Sequence, residues 1–253
     1  MQTVSSNTQS TTPLSRKLKV MTVFGTRPEA IKMAPVVHML EQHPEQFESI
    51  VCVTAQHREL LDQVLQLFSI TPDVDLNIMQ PNQDLFQITT NVMNGMKTVL
   101  EEQKPDIVLV HGDTTTTMAA SLACFYLKIP VGHVEAGLRT FDKYYPFPEE
   151  INRVVTDSLC TLYFAPTQKS ADNLLQSGAD PKGLTITGNT VIDALHYTLK
   201  NTSEKLLHEA LKANNTPPIT LNPERRLLVV TTHRRENFGE PLKNICRALR
   251  DLV

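Results

Sequence analysis

The sequence predicts an α/β fold in which a parallel sheet carries helices on both faces, followed by the start of a second domain of the same kind. Three observations lead there. Short, apolar, β-branched runs alternate with longer segments of helical period from Leu18 onward. Runs such as Ile107-Val108-Leu109-Val110 are apolar on both faces, as a strand inside a parallel sheet has to be. Six of the nine glycines (Gly25, Gly112, Gly132, Gly137, Gly188 and Gly239) fall at or near strand-to-helix turns, where backbone comes close to ligands or takes positive φ.

In chain order the strands are expected at Lys19–Phe24, Ser49–Thr54, Asp106–His111, Val131–Val134, Leu162–Phe164, Leu184–Thr187 and Leu227–Thr231. The helices between them are expected at Pro28–Glu41, His57–Leu67, Leu85–Gln103, Thr115–Leu127, Glu149–Cys160, Gln168–Gln176 and Val191–Leu199. Such alternation implies right-handed βαβ crossovers. Residues 1–17 form a Ser-, Thr- and Gln-rich tail without the apolar centre of a signal peptide, and disorder is expected there. The first domain covers residues 18–200. Residues 201–226 read as a linker: Leu206–Ala213 has helical character, but Pro217-Pro218 and Asn222-Pro223 then break the periodicity. Residues 227–253 read as the first strand and helix of a second α/β domain whose remainder is absent, because one strand and one helix cannot cover both faces of a sheet.

Composition narrows the function. A net charge of -3 argues against nucleic acid as a partner. No apolar run approaches the roughly 20 residues that a membrane-spanning helix needs. The four cysteines, Cys52, Cys124, Cys160 and Cys246, form no C-x-x-C motif. Three sit among apolar neighbours, which reads as buried thiols in a reducing, cytoplasmic compartment.

Ligands of open parallel sheets bind beyond the carboxyl ends of the strands, so the turns there carry the functional reading. Phe24-Gly25-Thr26-Arg27-Pro28-Glu29 opens a helix whose N-terminal N–H groups, with Arg27 and Lys32, form an expected anion site; a plain glycine turn with two solvated cations is the other reading. In His111-Gly112-Asp113-Thr114-Thr115-Thr116-Thr117, Asp113 is either a helix N-cap or a working carboxylate. Glu135 follows directly after an apolar strand and is poorly explained by packing. Two carboxylates at neighbouring strand ends suit acid/base chemistry, since repulsion drives their pKa values apart. Pro148-Glu149-Glu150 fits a helix start, and the preceding loop, with four aromatic residues, is expected to fold over a pocket. His233, in Thr232-His233-Arg234-Arg235-Glu236, is a candidate acid/base group or phosphate contact. No metal cluster, Walker loop or Ser/His/Asp triad is visible.

Together these motifs resemble the non-hydrolysing UDP-N-acetylglucosamine 2-epimerases of bacterial surface-polysaccharide pathways. The resemblance rests on Val23–Pro35, Thr54–Arg58, His111–Thr114, His133–Thr140, Pro148–Glu150 with Asn152-Arg153, Thr187–Asp193 and His233–Glu236, in that order along the chain. It implies two Rossmann-like domains of glycosyltransferase-B type with the active site in the cleft between them. It also implies interconversion of UDP-N-acetylglucosamine and UDP-N-acetylmannosamine through elimination and re-addition of UDP, without metal or other cofactor, in a cytoplasmic homodimer. By this resemblance Asp113, Glu135, Glu149 and His233 are catalytic. Arg27 and Lys32, with Asp113, Glu135 and His233, bind the UDP-sugar, and Gln56 and His57 belong to a regulatory second site. The alternatives are an inactive fragment of such an enzyme, a hydrolysing relative, or a 2-epimerase acting on a diacetamido sugar.

Overall fold

A computed structural model of the chain describes residues 16–54, 58–78, 83–203, 209, 228, 230–232 and 238–252. The chain divides into two compact units, Met1–Asn201 and Thr202–Val253. In the first unit seven strands form one parallel sheet in the order β3-β2-β1-β4-β5-β6-β7. They are β1 (Leu18–Phe24), β2 (Phe47–Val53), β3 (Val74–Asp75), β4 (Ile107–His111), β5 (Val131–Val134), β6 (Leu162–Ala165) and β7 (Leu184–Ile186). The helices are α1 (Arg27–Glu41), α2 (Arg58–Leu67), α3 (Leu85–Gln103), α4 (Thr115–Tyr126), α5 (Glu149–Leu159), α6 (Gln168–Gln176) and α7 (Val191–Asn201). In the second unit α8 (Glu240–Leu252) is the described helix.

The sequence explains why both faces are covered. Side chains alternate along β1, so Met21 and Val23 enter one core while Val20 and Phe24 enter the other. The first core packs Val108 and Val110 of β4 against Val92, Met96 and Leu100 of α3 and Ala119 and Ala123 of α4. The second packs Val51 and Val53 of β2 against Met33 and Val37 of α1 and Leu61 and Val64 of α2. Each fully buried aliphatic side chain contributes about 1.5–3 kcal/mol.

The strand order reverses direction between β1 and β4, the point at which open parallel sheets ordinarily bind ligands. One strand escaped the sequence reading: β3 is two residues long and pairs only with β2, too short for any alternation to show. β2 begins at Phe47, two residues before the expected start, because its pairing with β1 extends to Leu18↔Phe47. Of the expected strand 227–231, residues 227 and 229 lie outside the described residues, and 228, 230 and 231 carry no strand pairing. The helical stretch expected at Leu206–Ala213 also lies outside them, apart from Glu209. No described helix is long and apolar enough to cross a membrane.

Candidate active site

The helix α1 begins as its sequence dictates, and the manner of its capping changes the reading of the first turn. Thr26 caps it, and Glu29 answers with its carboxylate. Glu29 is 2% exposed. One of its oxygens accepts from the Gly25 and Thr26 N–H groups at 3.0 and 2.7 Å, the other from the hydroxyls of Thr114 and Thr117 at 2.7 and 3.1 Å. The N–H groups expected to greet an anion are therefore already occupied. Pro28 has none, Glu29 donates its own to Thr26, and Arg27 N–H is the donor left in this turn. Anion attraction here falls to the side chains. Arg27 is exposed, without an ion pair among the described residues. A Cβ on Gly25 would lie 2.1 Å from Thr54 Oγ1, so any side chain there forces the buried Thr54 hydroxyl to move.

Lys32 reaches across the switch point from α1. Its Nζ stands 2.7 and 2.6 Å from the two carboxylate oxygens of Glu135. Glu135 is the first residue after β5 and takes a left-handed backbone, φ +66°, which non-glycine residues adopt at a cost of order 1–3 kcal/mol. Asn189, in the turn before α7, donates its Nδ2 to the same carboxylate at 2.5 Å. Its Oδ1 accepts the Val191 N–H at 3.0 Å, which fixes the direction of the amide.

Asp113 is freed from capping by its neighbour. Thr114 is the N-cap of α4 and accepts from Thr117 N–H at 3.1 Å. The Asp113 carboxylate instead accepts from Arg153 Nε at 3.1 Å, and its backbone carbonyl accepts from Asn152 Nδ2 at 2.9 Å. Burial raises the pKa of Asp113, with Glu149 and Glu135 adding to the rise and Arg153 and Lys32 opposing it. Asp113, Glu135, Glu149 and Lys32 thus share one electrostatic site. Glu149 opens α5, half-buried and without a capping bond. Its neighbour Glu150 serves the loop instead. It accepts the Thr140 and Phe141 N–H groups at 3.0 Å each and anchors the aromatic segment. The four rings of that loop, Phe141, Tyr144, Tyr145 and Phe147, are exposed.

Two buried histidines back this cluster. His133 on β5 has Nδ1 2.5 Å from Asp157 and Nε2 2.8 Å from the Gly112 carbonyl. Burial works to raise the Asp157 carboxyl, but His133 and Arg139 together hold it below the usual carboxylate range. His111, at the end of β4, has no hydrogen-bond partner on either ring nitrogen. Gln56, His57 and His233 lie outside the described residues. Cys52, Cys124 and Cys160 are buried, and burial pushes the Cys52 and Cys124 thiols up to about 12, which makes them inert.

A family model described as UDP-N-acetylglucosamine 2-epimerase matches residues 38–253. The chain belongs to the UDP-N-acetylglucosamine 2-epimerase family. It is 58% identical over 238 residues to the UDP-N-acetylglucosamine 2-epimerase of Escherichia coli K12, which covers 93% of this chain and 62% of that protein. Among solved structures of the family, the Neisseria meningitidis UDP-GlcNAc 2-epimerase bound to UDP-GlcNAc superposes with a TM-score of 0.83 at 53% identity, over 93% of this chain and 62% of that one. A Staphylococcus aureus UDP co-structure superposes with a TM-score of 0.79 at 48% identity, over 93% and 59%. The chain spans about 62% of the length of the curated relatives it matches.

Within this epimerase-family fold, four partners of the candidate residues escaped the sequence reading. Arg153 and Asn189 stand in quoted motifs, yet nothing in their spacing reveals that they reach Asp113 and Glu135. His111 is the last residue of an apolar strand, where a packed histidine is the ordinary outcome. Glu29 carries a sequence signal in hindsight, since a Thr-x-x-Glu capping box precedes an apolar run.

Proposed function

We propose that this chain carries the catalytic carboxylates of a UDP-N-acetylglucosamine 2-epimerase, interconverting UDP-GlcNAc and UDP-ManNAc for surface polysaccharide. The observation that carries the reading is the convergence of Glu135, Glu149 and Lys32 on Asp113, with Lys32 bound to Glu135. The proton on C2 of the sugar is not acidic by itself, so its removal has to be coupled to departure of UDP from C1. That requires a base on one face of the ring, an acid on the other, and cations on the diphosphate. Asp113, with its raised pKa, is suited to hold and deliver a proton. Glu135 and Glu149 complete the acid/base set. Lys32 and Arg27 are assigned to the diphosphate, and His233 is assigned a catalytic and substrate-binding role. Gln56 and His57 are assigned to a regulatory UDP-sugar site. UDP-GlcNAc in the Neisseria relative and UDP in the Staphylococcus relative support the ligand class.

The test is incubation with UDP-GlcNAc while NMR follows the anomeric signal of UDP-ManNAc. The chain is assayed alone and fused to the part of the E. coli relative that it does not match. Product from the fusion, lost on Glu135→Gln, is the expected result. Free N-acetylmannosamine as the product would mark a hydrolysing relative, and no product from the fusion would sink the reading. Cytoplasmic residence is proposed from the three buried thiols, which suit a reducing compartment. Residues 18–200 are proposed as the first Rossmann-like domain, 201–226 as a linker and 227–253 as the opening of a second. A homodimer is also proposed, supported by Phe125 and Tyr126, exposed on α4 beside a cleft lined by Met93 and Lys97 of α3. Tyr126→Asp is expected to shift the sedimentation coefficient from dimer to monomer.

A further inference from the structure

His111 and His133 stand on adjacent strands beside the carboxylate cluster, and only His133 has partners. His111 is 3% exposed, and both of its ring nitrogens lack a hydrogen bond. Buried polar groups are ordinarily paired, so an orphaned imidazole next to a working carboxylate calls for an explanation. Its Nε2 lies 3.9 Å from Oε1 of Glu135, about 1 Å beyond a normal hydrogen bond. The charged and titratable groups facing it are Lys32 from α1, His133 from β5 and Glu135 from the turn after β5. Burial first, then Lys32 and His133, hold its pKa well below the ordinary histidine range. The ring is therefore neutral, with one N–H to give.

We propose that His111 is the alternate hydrogen-bond partner of Glu135, a positioning residue that receives the carboxylate when Lys32 turns to the diphosphate of a bound ligand. The functional half of this rests on reading the site as one for UDP-sugars; the pairing itself does not. Lys32 holds both oxygens of Glu135. A diphosphate carries more charge than one carboxylate and competes for the same ammonium. When Lys32 leaves, Glu135 keeps Asn189, and a movement of about 1 Å brings Oε1 within reach of the His111 N–H. A neutral donor then replaces a cation. The spare imidazole ensures that the carboxylate is not left short of partners in a buried place.

The experiment uses the 15N-labelled 253-residue chain and proton–nitrogen correlation spectra of its histidine rings, with His111→Asn identifying the His111 signals. In Lys32→Met without ligand, the His111 Nε2 signal is expected to move to a hydrogen-bonded position, and no movement overturns the proposal. In the unaltered chain UDP is expected to cause the same movement and uridine none. UDP that binds and leaves His111 unmoved overturns the exchange. If UDP fails to bind even the fusion while Lys32→Met moves the signal, the pairing stands and the UDP-sugar reading falls. In the active fusion, His111→Phe is expected to lower kcat about 10- to 100-fold with KM little changed, and His111→Asn to restore most of the loss. Undiminished kcat in a folded His111→Phe protein overturns the positioning role.

Discussion

Glu29 and Glu149 are both glutamates in the first turn of a helix, yet their partners separate them. Glu29 receives four hydrogen bonds and is fully buried, so it holds two turns together. Glu29→Gln turns an amide N–H₂ toward groups that donate, and a loss of about 2–3 kcal/mol is expected in urea unfolding at neutral pH. Glu149→Gln, half-buried and without a capping bond, is expected to change stability by less than about 1 kcal/mol while removing the activity proposed for the fusion. Asp113 behaves in the opposite sense to Glu29. Its folded pKa is raised, chiefly by burial, so the ionised form costs stability. That cost is absent below the ordinary carboxylate pKa of about 3.9 and grows as pH rises through the higher folded value. Asp113→Asn, which keeps an acceptor for Arg153, is therefore expected to gain stability over the wild type as pH rises from about 4 toward 7. Thermal unfolding at several pH values measures the gap, and a gap that narrows with rising pH would contradict it. The sequence left Asp113 open between cap and acid; with Thr114 beside it, two good cap residues compete, and only the turn geometry decides.

Elements were legible where their signals are local. α3 begins at Leu85, as expected, because Asp84 and Gln87 form a capping box and an apolar period follows. The turn after β5 was legible only in part. Gly137 announced a turn, but not why α6 depends on it. Its φ is +84°, and a Cβ would lie 2.2 Å from the Ser170 carbonyl oxygen and 2.8 Å from Leu174. Gly178 has a similar φ, +93°, with open space around it. Gly137→Ala therefore combines backbone strain with a clash against main chain that cannot step aside, and about 3 kcal/mol or more of destabilisation is expected. Gly178→Ala carries the strain alone, about 1–2 kcal/mol. Chemical denaturation of the two variants in parallel tests the difference; equal losses would mean that α6 simply shifts away. The pairing of Asp113 and Glu135 at neighbouring strand ends was legible, but the hydrogen-bond partners of each were not. Lys32 and Glu135 are 103 residues apart, and the left-handed backbone of Glu135 follows from the β5–α5 connection rather than from its own preference.

At the scale of the molecule, strand and helix alternation sufficed for the parallel sheet because each crossover has one allowed hand. The buried residues of both apolar clusters lie between Val20 and Ala194, all within the first unit. A chain ended after Asn201 is accordingly expected to unfold in a single cooperative transition, followed by circular dichroism in urea. A gradual, non-cooperative loss of signal would show that the first unit needs the rest of the chain.

The backbone of Glu135 has a consequence for substitution at this position. Its left-handed conformation is one that glycine adopts freely, so a carboxylate proposed to carry chemistry sits where the main chain would accept the least side chain. Glu135→Gly relieves that strain and removes the carboxylate in one change. A Glu135→Gly chain is accordingly expected to keep its fold while lacking the carboxylate on which the proposed chemistry depends, with circular dichroism to follow the fold.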